Sequence, residues 1–559
     1  MKKAIAFRLL FVLCLTASEF VLAQKRKNID SGEIEDAEII VEKNKQIDLP
    51  EAARNFEKII VPPRPKNIEP QTYQFSNFTP TLQPEAIKYP AKMANEEALE
   101  KLYGGFLRAG AGNYNATLIE GFFNQKRSKN NDYGIHFRHN AFGKGAVKNA
   151  GNSDNVLRGF AAKNLGKLKI SGEGSYQRER YNFFGYDQQA EANKNISADS
   201  VKQVFQNIRI AGSIANSSED KLHYHVKAGF SRFSDRFDVA ENEINWQTKL
   251  VYALDEKSGI QVLSDIAFIT FKDSTSLTRT LVPIQVGYYY QKEALKLLVG
   301  GNVVFNNDTV SPERSARIYP MLRADYSIVN NKLSTFLQID GNTEKRTYQS
   351  FARENPFLDR QQVLAHTNKR IAIQVGATAN VQQLTFQVSG GYATFSNLPF
   401  YVNNWPDSSK FQIVYEKENV GRAELNIQAA YQLAKSVQIG ANFTLHSYNF
   451  TQQDSLNSKK PYHRPTQMAS FWASYNVKDK ILVKTSWQYA GGITALNVNT
   501  GENVELKSIS DLDLQIDYRF SERFSAFLNF DNIISQKNQR YLYYTNRGFA
   551  LLAGLTYSF

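Results

Sequence analysis

Residues 511 to 520 read DLDLQIDYRF. Asp511, Asp513, Gln515, Asp517 and Arg519 fill the odd positions, and Leu512, Leu514, Ile516, Tyr518 and Phe520 fill the even ones. A β-strand turns successive side chains to opposite faces, so this segment has one wet face and one greasy face. The pattern recurs in LNIQAAYQL (425–433), where Leu425, Ile427, Ala429, Tyr431 and Leu433 oppose Asn426, Gln428 and Gln432. In ILVKTSWQY (481–489), Ile481, Val483, Thr485, Trp487 and Tyr489 oppose Lys484, Ser486 and Gln488. A soluble β-sandwich also alternates, so alternation alone leaves the fold open.

The connections decide it. Short polar turns, NLGK (164–167), SSEDK (217–221), DEKSG (255–259), VNNK (329–332), NVQQ (380–383), KDK (478–480) and SER (521–523), alternate with longer links at 185–202, 346–366, 397–419 and 492–506. Short turns on one side and long loops on the other are the signature of an up-and-down outer-membrane barrel. Strand starts fall near 105, 115, 132, 155, 167, 203, 221, 243, 258, 279, 295, 317, 332, 367, 383, 420, 436, 465, 480, 507, 523 and 547. The expected fold is therefore all-β: a transmembrane antiparallel β-barrel of about 22 strands, an even number as in bacterial single-chain barrels, over residues 101–559.

The opening MKKAIAFRLLFVLCLTASEFVLA (1–23) has a basic start, an apolar stretch and a small residue at its end, which reads as a secretory signal peptide cleaved between Ala23 and Gln24. Arg8 and Glu19 interrupt the apolar run, leaving it short of the roughly 20 residues of a spanning helix. Removing 23 of the 559 residues leaves 536 and takes away three basic residues and one acid, so the net charge of +13 falls to +11. Cys14, the sole cysteine, leaves with the leader. That excludes disulfides, thiolate zinc sites and cysteine nucleophiles from the mature chain. The 37 Phe, 29 Tyr and 4 Trp belong to a chain of negative mean hydropathy, as expected when apolar and polar residues alternate along barrel strands. Residues 24–100 are charged and rich in proline (IIVPPRPKNIEP, FTPTLQPEAIKYP) and read as an irregular periplasmic or lumen-filling segment.

The end of the chain, DYRFSERFSAFLNFDNIISQKNQRYLYYTNRGFALLAGLTYSF (517–559), resembles the C-terminus of TonB-dependent outer-membrane receptors. The features are Asn532-Ile533 closing the penultimate strand and a last strand ending in an aromatic and Phe. FLRAGAGNYNATL (106–118) is similar to their first barrel strands. In the alternating row Phe549, Leu551, Ala553, Leu555, Tyr557 and Phe559 the side chains face lipid, and Phe559 resembles the signal that barrel-insertion machinery grasps. The family carries a plug of well over a hundred residues, whereas residues 24–100 are mostly proline-rich linker, so the resemblance is to a receptor without a conventional plug. AEIIVEKNKQIDLPEA (37–52) resembles a coupling box, which would bring Ile39, Ile40 and Val41 to a TonB-type coupling protein. A short strand or a hydrophobic triplet in a linker explains the same residues.

The chemistry in the sequence is sparse. His136 and His139 are separated by an odd number, which places them on opposite faces of a strand. His223 and His225 share a face but lack evident carboxylate partners. No cofactor, metal site or catalytic set is expected. The row Asp511, Asp513, Asp517 and Arg519 reads as a hydrated lumen wall. In an exported chain, positive charge points to anionic glycolipid or polysaccharide and not to nucleic acid. The segment 395–419 gathers Phe400, Tyr401, Trp405 and Phe411, either a sugar-stacking or partner-docking surface or rings that pack against other loops to close the barrel mouth.

The sequence thus leads to the outer membrane of a Gram-negative bacterium and to a receptor-like transporter or channel for a bulky solute with a reduced gate. The alternative is a non-transport accessory barrel that scaffolds a secretion or protein-assembly complex, with a surface lipoprotein or other complex partners.

Overall fold

The structure is a computed structural model that describes residues 103–559 apart from 126–127, 129, 217–219, 309–315, 418 and 452–458. The signal peptide with Ala23 and Gln24, the segment 24–100 and the triplet Ile39, Ile40 and Val41 lie outside the described residues.

Twenty-two strands form one sheet, each antiparallel to its sequence neighbour, from Gly105–Gly112 to Ala550–Ser558. The last strand pairs with both Phe524–Asp531 and Gly105–Gly112, which closes the sheet into a barrel. Closure removes the open edges that would otherwise expose unpaired backbone groups to lipid. All 22 starts fall within three residues of the positions expected from the pattern. The last differs most informatively. Its strand begins at Ala550, not at 547, because Arg547 belongs to the loop, with its guanidinium 3.6 Å from the centre of the Phe142 ring and 2.9 Å from Asn152 Oδ1. Between the first two strands, where the sequence shows little turn, Asn113–Asn115 make one turn of 3-10 helix, with Tyr114 and Asn115 at φ 55 and 53.

The two faces separate as the alternation requires. Leu512, Leu514, Ile516 and Tyr518 face outward, while Gln515 donates to Asp517 at 2.6 Å on the inner face. Ile318 is 79% exposed and Leu555 60%, exposures that suit hydrocarbon and would be costly in water. In the short turns the chain reverses with minimal material: Gly166 of NLGK sits at φ 62, the left-handed conformation that two-residue hairpins demand.

Six further strands form three hairpins in the long loops, Leu398–Asn403 with Phe411–Glu416, Ile493–Asn497 with Glu502–Leu506, and Gln539–Tyr541 with Tyr544–Thr545. Only one α-helix is present among the described residues, Tyr348–Glu354, in the loop after Leu333–Glu344.

Candidate functional site

The long loops build a roof over one end of the barrel. Its organising element is the helix Tyr348–Glu354. Thr347 and Ser350 cap its start reciprocally: Ser350 N–H donates to Thr347 Oγ1 at 3.0 Å and Thr347 N–H to Ser350 Oγ at 2.9 Å. A cap of this kind satisfies donors that a helix start leaves free. Tyr348 and Phe351, three residues apart and so on one face, are both fully buried. Tyr348 meets Phe233 and Phe271 of the barrel wall at ring separations of 5.7 and 5.4 Å.

A buried carboxylate from the wall holds this helix in place. Glu241, at 3% exposure, accepts from the backbone N–H of Tyr348 at 2.8 Å and of Gln349 at 3.1 Å. The fully buried Arg279 guanidinium lies 3.8 Å away. A negative group at a helix start is favoured by the helix dipole, and here it also compensates a cation that burial has stripped of water. Lys345 reaches Glu243 at 2.6 Å. At the far end of the loop, His366 Nδ1 accepts from the Arg346 backbone N–H at 3.0 Å, and the His366 backbone N–H donates to the Asp308 carboxylate. Asp235, in the link 235–239, accepts from Tyr348 Oη at 3.1 Å; burial raises its carboxyl above the usual range.

Other loops complete the roof. The hairpin after Leu384–Ser396 inserts Tyr401 and Phe411 into the same aromatic core, where Tyr541 stands 6.0 Å from Tyr401 and 5.5 Å from Phe411. Phe357 stacks on Tyr544 at 3.5 Å. Tyr544 Oη donates to Ser409 O and Tyr541 Oη to Glu354 O, which ties three loops together. His463 packs against Phe411 at 5.3 Å, and the Arg464 guanidinium donates twice to Pro399 O, at 2.8 and 3.1 Å. Burial lowers His366 to about 3 and His463 to about 4, and raises the Tyr541 phenol to about 12.

The rings singled out in 395–419 divide. Tyr401 and Phe411 lie in the main roof core, and Phe400 packs in a neighbouring cluster with Phe395, Leu398 and Val420. Only Trp405 is displayed, at 71% exposure. The four rings therefore do not form one exposed surface, because three of them supply the apolar interior the loops need to hold together.

The C-terminal row lies on the outer face. Leu555, Ala553 and Phe559 are exposed, Tyr557 packs against Phe524 at 4.6 Å, and Phe549, just before the strand, stacks near Phe530 at 6.3 Å. On the inner face, Leu552 and Gly554 of this strand lie against Phe527, an inward aromatic that alternation does not announce. It is fully buried with Ala116, Leu118 and Leu552. The Arg108 guanidinium lies over its ring at 3.9 Å, a favourable cation–π arrangement. Gly554 makes the room: a Cβ there would sit 2.4 Å from the Phe527 ring and 2.1 Å from the Ala109 carbonyl oxygen.

Below the roof the lumen is polar and carries both signs of charge. One cavity of about 430 Å³ is lined by Gln247, Asp265, Gln285, Asn302, Asp340 and Lys369. A second, of about 300 Å³, lies between Asp511, Asp531 and Arg547 on one side and Tyr181 and Phe357 on the other. Lys227 pairs with Glu173 at 2.6 Å and Lys369 with Asp340 at 2.7 Å. His136 faces inward, 3.1 Å from Glu120 and stacked on Phe122, while His139 faces outward to Asn155 at 2.6 Å. Among the described residues no group of three or more His, Cys, Asp or Glu is placed to hold a metal ion.

No family model matches the chain. Over 164 residues it is 24% identical to the ferrioxamine B receptor of Salmonella typhimurium strain SL1344, a stretch that is 27% of this chain and 23% of that protein. The match thus spans less than a quarter of the curated relative's length. Among solved structures it is similar to the FrpB iron transporter from Neisseria meningitidis, F3-3 variant, with a TM-score of 0.66 at 10% identity over 82% of each chain. The ferric-catecholate import receptor Fiu from E. coli K12 gives 0.62 at 12% identity, again over 82% of each chain. The pyoverdine outer membrane receptor FpvA from Pseudomonas aeruginosa PAO1 gives 0.60 at 13%, over 82% of this chain and 79% of that one. Identities this low establish a likeness of fold, and with the closed sheet and its greasy outer face they identify the chain as a β-barrel of the Gram-negative outer membrane.

Proposed function

We propose that this protein is a TonB-dependent receptor-like transporter or channel for a bulky solute, with residues 24–100 serving as a reduced gate in place of a conventional plug. The observation that carries the reading is a wide barrel with a packed roof. Twenty-two strands enclose a lumen that wall side chains alone do not fill, and the loops above it pack like a protein core. A wide path under a closable roof suits a large solute admitted on demand. The ferrioxamine B, ferric-catecholate and pyoverdine receptors among its relatives support a chelated metal ion as the solute class. Trp405 is then the first ring such a ligand meets, and Phe400, Tyr401 and Phe411 order the loop beneath it. Ile39, Ile40 and Val41 dock a TonB-type coupling protein, and no catalytic step is involved.

The test is conductance in planar bilayers. In a chain already lacking 348–362, further deletion of 24–100 should raise single-channel conductance well above that of the loop deletion alone; equal conductance refutes the gate. One observation favours the accessory-barrel alternative: three of the four loop rings are spent on internal packing, which leaves little aromatic area for a ligand. A stoichiometric partner retained through native purification, with no solute-dependent growth phenotype, would support that reading instead.

A further inference from the structure

The outer wall between Asn131 and Ser234 carries a charge pattern that neither the roof nor the lumen uses. In the strand Leu168–Asn182 the odd residues face the lumen, as Glu173 shows by its pairing with Lys227 and Tyr181 by its packing on Phe357. The register is unbroken, so Arg178 and Arg180 project from the outer face, on the same side as the exposed Ile170. In Leu222–Ser234, Phe233 is buried inward and Phe230 exposed outward, which puts Arg232 outside as well. It donates to Asn242 Oδ1 at 3.1 Å.

All three arginines lie toward the end of the strands that leads into the long loops, the external side of the barrel. Arg178 stands opposite Gln206, Gln206 opposite Ser234, and Ile208 opposite Arg232. Two strand spacings and two residues therefore separate Arg178 from Arg232, roughly 12 Å between Cα atoms. Neighbouring outward groups are hydrogen-bonding side chains: Thr117, His139 and Asn155 form a chain with contacts of 3.3 and 2.6 Å, and Tyr176 Oη donates to Gln206 at 3.4 Å. Among the described residues, no outward position in the external half of these strands is acidic. Of the carboxylates in the loop above, Asp199 pairs with Lys202 at 3.2 Å, Glu191 pairs with Lys194, and Asp187 accepts from the Gln189 backbone N–H at 2.9 Å. Toward the membrane interior the same face turns greasy with Leu157, Ile208, Ile210 and Phe230, all exposed.

We propose that this face binds a phosphorylated outer-leaflet glycolipid, its phosphates held by Arg178, Arg180 and Arg232 and its acyl chains against the apolar rows below. Charge complementarity and the position of the patch select this occupant. A guanidinium fork matches a phosphate in two parallel hydrogen bonds, and three unopposed cations directly above a hydrocarbon-facing surface fit an amphiphile with an anionic head. A free anion would leave the apolar rows unexplained.

The experiment uses the full-length protein in detergent micelles and measures retention of bis-phosphorylated lipid A by native mass spectrometry. The wild type should retain it, and the triple variant R178Q/R180Q/R232Q should bind it at least about tenfold more weakly, since each charge-assisted contact is among the stronger polar interactions. Enzymatically dephosphorylated lipid A should not be retained. K163Q, which removes an outward lysine at the opposite end of the wall, should bind as the wild type does, and unchanged heat-modifiable migration in gels shows that each variant is folded. Equal retention by the triple variant overturns the proposal. So does equal retention of dephosphorylated lipid A or of phosphatidylglycerol, or full competition by millimolar inorganic phosphate, which would reduce the site to one for anions in general.

Discussion

Replacing Glu241 with alanine should release the roof without opening the barrel. The carboxylate serves two backbone donors of the helix Tyr348–Glu354, at 2.8 and 3.1 Å, and stands 3.8 Å from the fully buried Arg279. Its loss leaves buried N–H groups unsatisfied, at about 1–3 kcal/mol each. It also leaves a buried guanidinium uncompensated, a change that costs about 3–5 kcal/mol when one partner of a buried pair is removed. These costs overlap as the site relaxes, so about 3 kcal/mol is a conservative figure for the roof, equivalent to about two orders of magnitude in its opening equilibrium. Hydrogen exchange followed by mass spectrometry reads this directly. Amides of 347–362 should lose about a hundredfold protection in E241A and less in E241Q, which keeps an acceptor. Wall strands such as Thr367–Val381 should be unaffected, because opening of a loop unit is local. Protection in 347–362 unchanged to within about twofold would refute the view that this carboxylate latches the roof.

Acid should loosen the same roof. His366 and His463 are held neutral in the closed state, at about 3 and about 4, against about 6.5 when exposed. On these two histidines the open state therefore binds more protons below pH 6.5, so their contribution to closure is complete above that pH and is lost as pH falls toward 4, while Asp235, whose carboxyl burial raises, works in the opposite sense. The slope is at most about 1.4 kcal/mol per pH unit for each histidine; exchange rates corrected for intrinsic pH dependence should show it, and H366Q/H463Q should flatten it. Gly554→Ala places a Cβ 2.1 Å from the Ala109 carbonyl oxygen, so the closing strands must part slightly. An overpacking cost of about 1–3 kcal/mol should lower the midpoint at which heat-modifiable gel migration is lost, and an unchanged midpoint contradicts the geometry. Phe559 donates its N–H to Gly105 O at 3.0 Å and accepts from Gly104 and Gly105 at 3.0 and 2.9 Å; its deletion should reduce folded protein in the outer membrane, measured by fractionation, and an undiminished level counts against its role in assembly.

The barrel was legible because its information is local. Parity along each strand reports which face meets lipid, and turn length reports which end is periplasmic, so DLDLQIDYRF and the turns around it suffice to place the wall. The roof is not local. Glu241 and Tyr348 are 107 residues apart and Tyr541 lies 187 residues from Glu354, and no period relates them. Phe400, Tyr401 and Phe411 looked the same in sequence whether displayed or buried, because a loop has no alternation from which to infer a side. The pair Thr347 and Ser350 at cap spacing was a usable sign of the helix. Phe527 breaks the wall pattern outright, and only the glycines at 110 and 554 across the closing strands hint that something large must lie on that face.

The pairing of Gly105–Gly112 with Ala550–Ser558 also has a kinetic meaning. Every other ladder of the wall joins strands adjacent in sequence, so each can form as soon as its hairpin exists. Closure joins the two most distant strands of the sheet, and contacts of such separation form late because the intervening chain must first be ordered. Until then the wall is an open ribbon whose two free edges can recruit strands from other chains. The first of those edges, GFLRAGAG, is rich in glycine and alanine and offers few side chains to stabilise a wrong partner. The same plainness that lets Phe527 pack over the closed joint keeps the unfinished ribbon a poor template for aggregation.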